Sequence, residues 1–112
     1  MMDQNEYKFF VNNAPQGVFT GQGVSMFINE EDAVCDFDII ESRTDKKDLT
    51  TLWDMEKKGY VSTSESSPED MGEVDAYEQD GIPFDAVIIT VTLTKKGFES
   101  LKEAKKKYEV KV

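Results

Sequence analysis

An acidic stretch at residues 63–85, TSESSPEDMGEVDAYEQDGIPFD, limits the fold more than any other part of the chain. It contains eight carboxylates, and neither Lys nor Arg occurs between residues 59 and 94. Strand-like segments flank it: YVSTS at 60–64 and the more apolar FDAVIITVTL at 84–93. We therefore expect a long β-hairpin built from these two segments and joined by an acidic loop at 65–83. Connections of this length inside a compact domain are usually either functional or disordered.

Residues 46–58 have the pattern of an amphipathic helix. Leu49, Leu52 and Trp53 recur at helical spacing. Lysines in the last turn suit the negative end of the helix dipole, and Gly59 suits the left-handed position that ends many helices. The sequence thus predicts a helix over 46–58, with the three apolar side chains facing the core.

The C-terminal segment predicts another helix, at 94–107. The hydroxyl of Thr94 can accept a hydrogen bond from a free backbone N–H of the first turn. Leu93 and Phe98 have the spacing of a hydrophobic staple. The expected buried face comprises Phe98, Leu101, Ala104 and Tyr108, and the expected exposed face comprises Lys102, Lys105, Lys106 and Lys107. The closing residues EVKV are compatible with a short final strand.

A third helix is expected at 30–41. Acidic residues follow Asn29, as in the first turn of a capped helix, and Val34, Phe37 and Ile40 recur every third residue. Cys35 lies beside this apolar stripe and is interpreted as a packed thiol without chemistry.

The first part of the chain is less regular. Residues 1–6 are polar and are expected to be disordered. YKFFVNN at 7–13 fits either a short strand or a turn of helix, and the glycines within 17–28 disfavour a stable isolated helix. Taken together, the segments predict one small α+β domain over residues 1–112.

The charge of the chain restricts the class of partner. The sequence carries 23 acidic and 13 basic residues, for a net charge of −10. Non-specific binding to nucleic acid depends on Lys and Arg that displace phosphate counterions, and an acidic chain lacks this attraction. It lacks the same attraction to anionic membranes. The composition favours a basic protein partner, with acidity for solubility alone as the alternative.

Few residues are available for catalysis or cofactor binding. There is no His, a single Cys, no phosphate-binding loop and no pattern of a signal peptide or membrane span. If Gly81 is aligned with the glycine of a calcium-binding EF-hand loop, the end ligands would be Ala76 and Val87, which cannot bind the ion. We expect a soluble, cytoplasmic, non-catalytic protein without a cofactor or a regular metal site. An irregular cation site remains an open alternative, formed by Glu73, Asp75, Glu78, Asp80 and Asp85.

The order of elements resembles the second half of a winged-helix domain, of the kind found in bacterial transcription regulators. In that family a recognition helix ends in a glycine and an aromatic or apolar pair, as in EKKGYV here. A two-stranded wing follows, and a closing helix begins with LT-x-x-G, as in LTKKGFESL. The resemblance is closest over 46–104. It implies that 30–41 is the second helix, that 46–58 is the recognition helix, and that a first helix is built from 17–28.

Two functions follow from these observations. The first is a non-catalytic regulatory or inhibitory module that presents an acidic surface to a basic protein, with nucleic-acid mimicry as one form of it. Tyr77, Ile82 and Phe84 would supply apolar anchors among the acids. The alternative, implied by the winged-helix resemblance, is a DNA-binding transcriptional regulator. A homodimer is compatible with either. The candidate partner-binding residues are Glu69, Asp70, Glu73, Asp75, Tyr77, Glu78 and Asp80; the alternative DNA-binding residues are Lys46, Lys47, Thr50 and Thr51.

Overall fold

The strongest predicted strand lies at the centre of a three-stranded antiparallel sheet. The structure is a computed structural model that describes residues 1–21 and 32–109. Helices and strands are both present, so the predicted α+β class is confirmed. In chain order the elements are α1 (Gln4–Asn13), a 3-10 helix (Gln16–Thr20), β1 (Ala33–Ile40), a 3-10 turn (Glu41–Arg43), α2 (Lys46–Lys57), β2 (Val61–Ser66), α3 (Pro68–Met71), α4 (Val74–Gln79), β3 (Ile88–Thr94) and α5 (Lys95–Tyr108).

The predicted hairpin is confirmed, with slightly different bounds. β2 and β3 pair in antiparallel register from Val61 opposite Leu93 to Ser66 opposite Ile88. β1 pairs with the other edge of β3, so the strand order is β1-β3-β2. β3 is therefore hydrogen-bonded along both of its edges.

The predicted helix at 30–41 is wrong over the residues described, because Ala33–Ile40 form strand β1. The buried residues Cys35, Phe37 and Ile39 alternate with Asp36 and Asp38, which is the two-residue period of a strand. The three-residue spacing of Val34, Phe37 and Ile40 coincides with helical spacing by chance. Cys35 is packed in the core, and burial, followed by the charge of Asp36, raises the pKa of its thiol to about 11.

The start of the chain also differs from expectation, because residues 1–6 are part of the folded body. Helix α1 begins with a capping box: Asp3 Oδ1 accepts from the Glu6 backbone N–H at 2.8 Å, and Glu6 Oε1 accepts from the Asp3 N–H at 2.9 Å. Met2 is completely buried. The Glu6 carboxylate is 3% exposed and forms an ion pair with Lys58 Nζ at 3.0 Å. These contacts fix the position of α1 against the end of α2.

The core lies between one face of the sheet and the helices α1, α2 and α5. The rings of Phe9 and Phe10 meet edge to face with centroids 5.3 Å apart, and both lie near Phe37 of β1. From the other helices, Leu52 and Leu101 are completely buried in the same cluster. The aromatic residues of α1 therefore complete the core, although the polar residues around them gave no sign of this in the sequence.

The two other predicted helices are confirmed as α2 and α5. In α2, Leu52 is fully buried, and Trp53 is half-buried and packs against the core. In α5, Thr94 caps the helix by accepting from the Gly97 N–H at 3.0 Å. Of the expected first helix at 17–28, residues 17–20 belong to the 3-10 helix Gln16–Thr20, and residues 22–28 lie outside the described part. The final strand expected in EVKV lies outside it from residue 110.

Gly97 allows α5 to approach the start of β2 closely. The carbonyl oxygen of Tyr60 accepts from both the backbone N–H and the hydroxyl of Thr94, at 3.1 and 2.9 Å. A Cβ atom at position 97 would lie 1.9 Å from that same carbonyl oxygen. Only glycine at this position is compatible with the observed contact.

We predict that Gly97→Ala lowers the free energy of unfolding by about 1–3 kcal/mol, because the added methyl displaces the Tyr60 carbonyl. Helix propensity alone predicts the opposite sign, a gain of about 1 kcal/mol. Urea denaturation followed by circular dichroism measures the change. Glu99→Ala, at an exposed position of the same helix, is the control and should change stability by less than about 0.5 kcal/mol. Increased stability of Gly97→Ala would contradict the close approach.

Candidate functional site

The connection between β2 and β3, residues 67–87, is folded, and we call it the acidic arm. It contains the two short helices α3 and α4. Ser67 caps α3 by accepting from the Asp70 N–H at 3.1 Å, and Pro68 occupies the first turn. Gly72, with a φ of 70°, ends α3 in the left-handed conformation. Local sequence signals therefore explain why the arm is helical.

All carboxylates of the acidic arm are exposed to solvent. They are distributed over both helices and the residues that flank them, and the arm contains neither Lys nor Arg. Within α4, Asp75 and Glu78 are one turn apart and so project from the same side of the helix. The exposed carboxylates are Glu69, Asp70, Glu73, Asp75, Glu78, Asp80 and Asp85.

Backbone hydrogen bonds tie the arm to itself and to the sheet. The Glu69 N–H donates to the Phe84 carbonyl at 3.3 Å, which closes the base of the arm. The Glu41 N–H donates to the Val87 carbonyl at 3.0 Å, which extends the pairing of β1 beyond β3. The arm is thus held at both ends by main-chain contacts.

The chain's single arginine provides a further connection. Arg43 Nη2 donates to the Asp80 carbonyl oxygen at 2.6 Å, so the turn after β1 reaches the residue that ends α4. The bond is exposed, but it is charge-assisted and joins segments 37 positions apart in sequence. It therefore restrains the far end of the acidic arm.

Three apolar residues in the arm or next to it are buried. Pro68, Ile82 and Ile88 are buried but are outside the main core. The side chain of Ile88 points to the opposite side of the sheet from Ile89, because neighbouring strand residues alternate. Because α1, α2 and α5 pack on the other side of the sheet, its complete burial indicates that the arm packs against this end of the sheet.

The apolar residues predicted as anchors have three different environments. Ile82 is buried. Tyr77 is half-buried, with its hydroxyl 4.0 Å from Met71 Sδ. Burial, followed by the negative charges of Asp38 and Glu73, raises the pKa of Tyr77. Phe84, in contrast, is 55% exposed, and the neighbouring Val87 is exposed as well. Composition could identify apolar residues among acids, but only the fold distinguishes the exposed one.

The alternative DNA-binding residues lie together in the first half of α2. Lys46, Lys47 and Thr50 are exposed, and Thr51 is half-buried. The hydroxyls of the two threonines donate to the carbonyls of Lys46 and Lys47, at 3.1 and 3.0 Å. The lysines are therefore the groups on this surface with free donors for phosphate.

Within residues 1–21 and 32–109, no group of three or more Cys, Asp or Glu side chains has a geometry that could hold a metal ion, and this includes the carboxylates of the arm. In the same ranges, no helix is long and apolar enough to cross a membrane.

Comparison of the chain with protein-family models, curated proteins and solved structures finds no match. The resemblance to winged-helix domains therefore stays a prediction.

We predict that Arg43→Ala loosens the arm without unfolding the sheet. An exposed charged hydrogen bond contributes about 0.5–1 kcal/mol, so amide exchange in residues 74–82 should accelerate roughly two- to fivefold. Exchange within β3 should not change. Hydrogen exchange measured by NMR tests this, with Lys47→Ala as a control that removes an exposed cation elsewhere. Equal exchange rates in both variants would show that Arg43 does not restrain the arm.

Proposed function

We propose that this chain is a non-catalytic protein-binding module whose acidic arm docks on a Lys- and Arg-rich surface of another protein. The observation that carries the proposal is that the arm is folded and presents only carboxylates as charged groups. Charge complementarity of this kind steers encounter and selects against acidic partners and nucleic acid. A regulatory or inhibitory role is consistent with a surface made for binding alone.

Order in the arm supports docking because a folded surface loses less conformational entropy on binding than a flexible loop. The capped α3, the backbone bonds at its base and the Arg43 contact all restrain the carboxylates before a partner arrives. Mimicry of nucleic acid is the form of this proposal that needs such order most. It requires acids at fixed separations, and α4 fixes the separation of Asp75 and Glu78.

The exposed aromatic residue Phe84 is a second observation that supports the proposal. Protein interfaces combine an apolar or aromatic centre with a polar rim. Phe84 is 55% exposed and is followed by Asp85, and its carbonyl accepts from the Glu69 N–H. We infer that an arginine of the partner stacks on this ring while the carboxylates bind the partner's other cations.

We predict that neutralising the arm weakens binding to a short oligo-arginine peptide about tenfold. The variant carries Glu73→Gln, Asp75→Asn, Glu78→Gln and Asp80→Asn, and each exposed ion pair contributes about 0.2–1 kcal/mol. Isothermal titration calorimetry at low and at physiological salt measures the affinity.

The control for this experiment has the same net charge. It carries Asp45→Asn, Asp54→Asn, Glu99→Gln and Glu103→Gln, all at exposed positions outside the arm. Equal losses in both variants would mean that net charge, and not the arm, determines binding. Salt-sensitive binding of duplex DNA that disappears on Lys46→Ala and Lys47→Ala would instead support the DNA-binding alternative.

We predict that Phe84→Ala weakens binding to the same peptide two- to fivefold, because a cation–π contact at an exposed site contributes about 0.5–1 kcal/mol. The matched control is Val11→Ala, since Val11 is 53% exposed on α1 and lies outside the arm. Thermal melts verify that neither change alters folding. If Phe84→Ala and Val11→Ala bind the peptide equally well, Phe84 is not an anchor.

A further inference from the structure

The sheet has a second face that the main core does not use. Residues paired across the strands project to the same side, and Cys35, Val91 and Val61 belong to the core. The alternate residues project to the other side. We call this side the outer face and define it by Asp36 and Asp38 of β1, Ser62 and Ser64 of β2, and Thr90 and Thr92 of β3.

The described helices α1, α2 and α5 lie on the core side. Phe9, Leu52 and Leu101 join one cluster with Val91, which projects away from the outer face. Within residues 1–21 and 32–109, the acidic arm is the segment that covers part of the opposite side, at the end marked by Ile88. Asp38 and Ser64 are exposed, and the other outer-face residues are half-buried.

The outer face offers carboxylates and hydroxyls and no cation. The Thr90 hydroxyl of the central strand donates to Asp38 Oδ1 of β1 at 2.7 Å, which orients this carboxylate. Burial, followed by the charge of Asp38, raises the pKa of Asp36. Two carboxylates two residues apart on one strand repel each other, so a cation that binds between them reduces this electrostatic repulsion.

The outer face is continuous with the acidic arm. The arm leaves the sheet after Ser66 and returns at Ile88, and these paired residues project to the same side as Thr90. The charged residues of the outer face and of the arm are all acidic, and the neighbouring cation Arg43 is bonded to the Asp80 carbonyl at the far end of the arm.

We propose that the outer face is the second half of the docking surface and binds Lys or Arg side chains of the same protein partner. This inference rests on the function proposed above. A partner segment that lies across the sheet would place a cation over Asp36 and Asp38 while its neighbouring cations meet the carboxylates of α4. Seryl and threonyl hydroxyls between the strands accept the remaining guanidinium or ammonium donors.

The test uses the oligo-arginine peptide and the variant Asp36→Asn with Asp38→Asn. We expect affinity to fall roughly three- to tenfold, whereas Glu99→Gln with Glu103→Gln, an equal change of charge on α5, should have a smaller effect. In NMR titrations of the unaltered protein, the amides of residues 36, 38, 90 and 92 should shift together with those of the arm. A second variant, Ser64→Lys, adds a cation to an exposed outer-face position and should weaken binding as well.

The outcomes separate this inference from the function on which it rests. If neutralising the arm weakens binding but neither outer-face variant does, the outer face is not part of the surface and the proposed function stands. If neither the arm nor the outer face responds beyond its control, both proposals fail. Thermal melts show which variants are folded. If the variant with both Asp36→Asn and Asp38→Asn is unfolded, the affinity of Ser64→Lys for the peptide decides whether the outer face takes part in binding.

Discussion

The pairing of β3 with both of its neighbours is the interaction on which the rest of the structure depends. On one face of β3, Ile89, Val91 and Leu93 complete the core with α1, α2 and α5. On the other, Ile88 is buried where the acidic arm rests on the sheet. The same strand thus stabilises the body and positions the arm. Because β3 is the central strand, its backbone N–H and C=O groups find hydrogen-bond partners along both edges, as those of a buried strand must.

A consequence of this arrangement is that the acidic arm and the outer face contain no Lys or Arg, whereas the helices on the core side carry charges of both signs. The lysines of α5 lie on a helix that packs against the core side of the sheet, whereas the arm and the outer face are acidic. Because the arm is helical and hydrogen-bonded at its base, we expect its carboxylates to keep their relative positions without a partner. A fixed acidic surface attracts cationic groups of a protein and repels phosphate, which is the physical basis of the proposed binding role.

Sequence reasoning recovered the elements whose signals are local. The hairpin, α2 and α5 were predictable because capping residues, Gly59 and the strand alternation around Val91 agree with the fold. The prediction for β1 is wrong because Val34, Phe37 and Ile40 have the spacing of a helix. The alternation of Asp36 and Asp38 with buried residues indicates a strand, but that strand forms only by pairing with β3, which is distant in sequence. The helices of the arm have local signals in Ser67, Pro68 and Gly72, but the contact of the arm with Arg43 joins residues 37 positions apart and cannot be inferred from local sequence. The carboxylates of the arm can be identified from composition, whereas the outer face depends on β1 being a strand.

The most direct measurement is the backbone order of the arm by ¹⁵N relaxation in the unaltered protein. If the arm is a fixed docking surface, order parameters across residues 69–82 should equal those of β3, at about 0.85. Values below about 0.6 in the arm, with β3 remaining rigid, would show a flexible acidic loop and would contradict a surface prepared in advance for a basic partner.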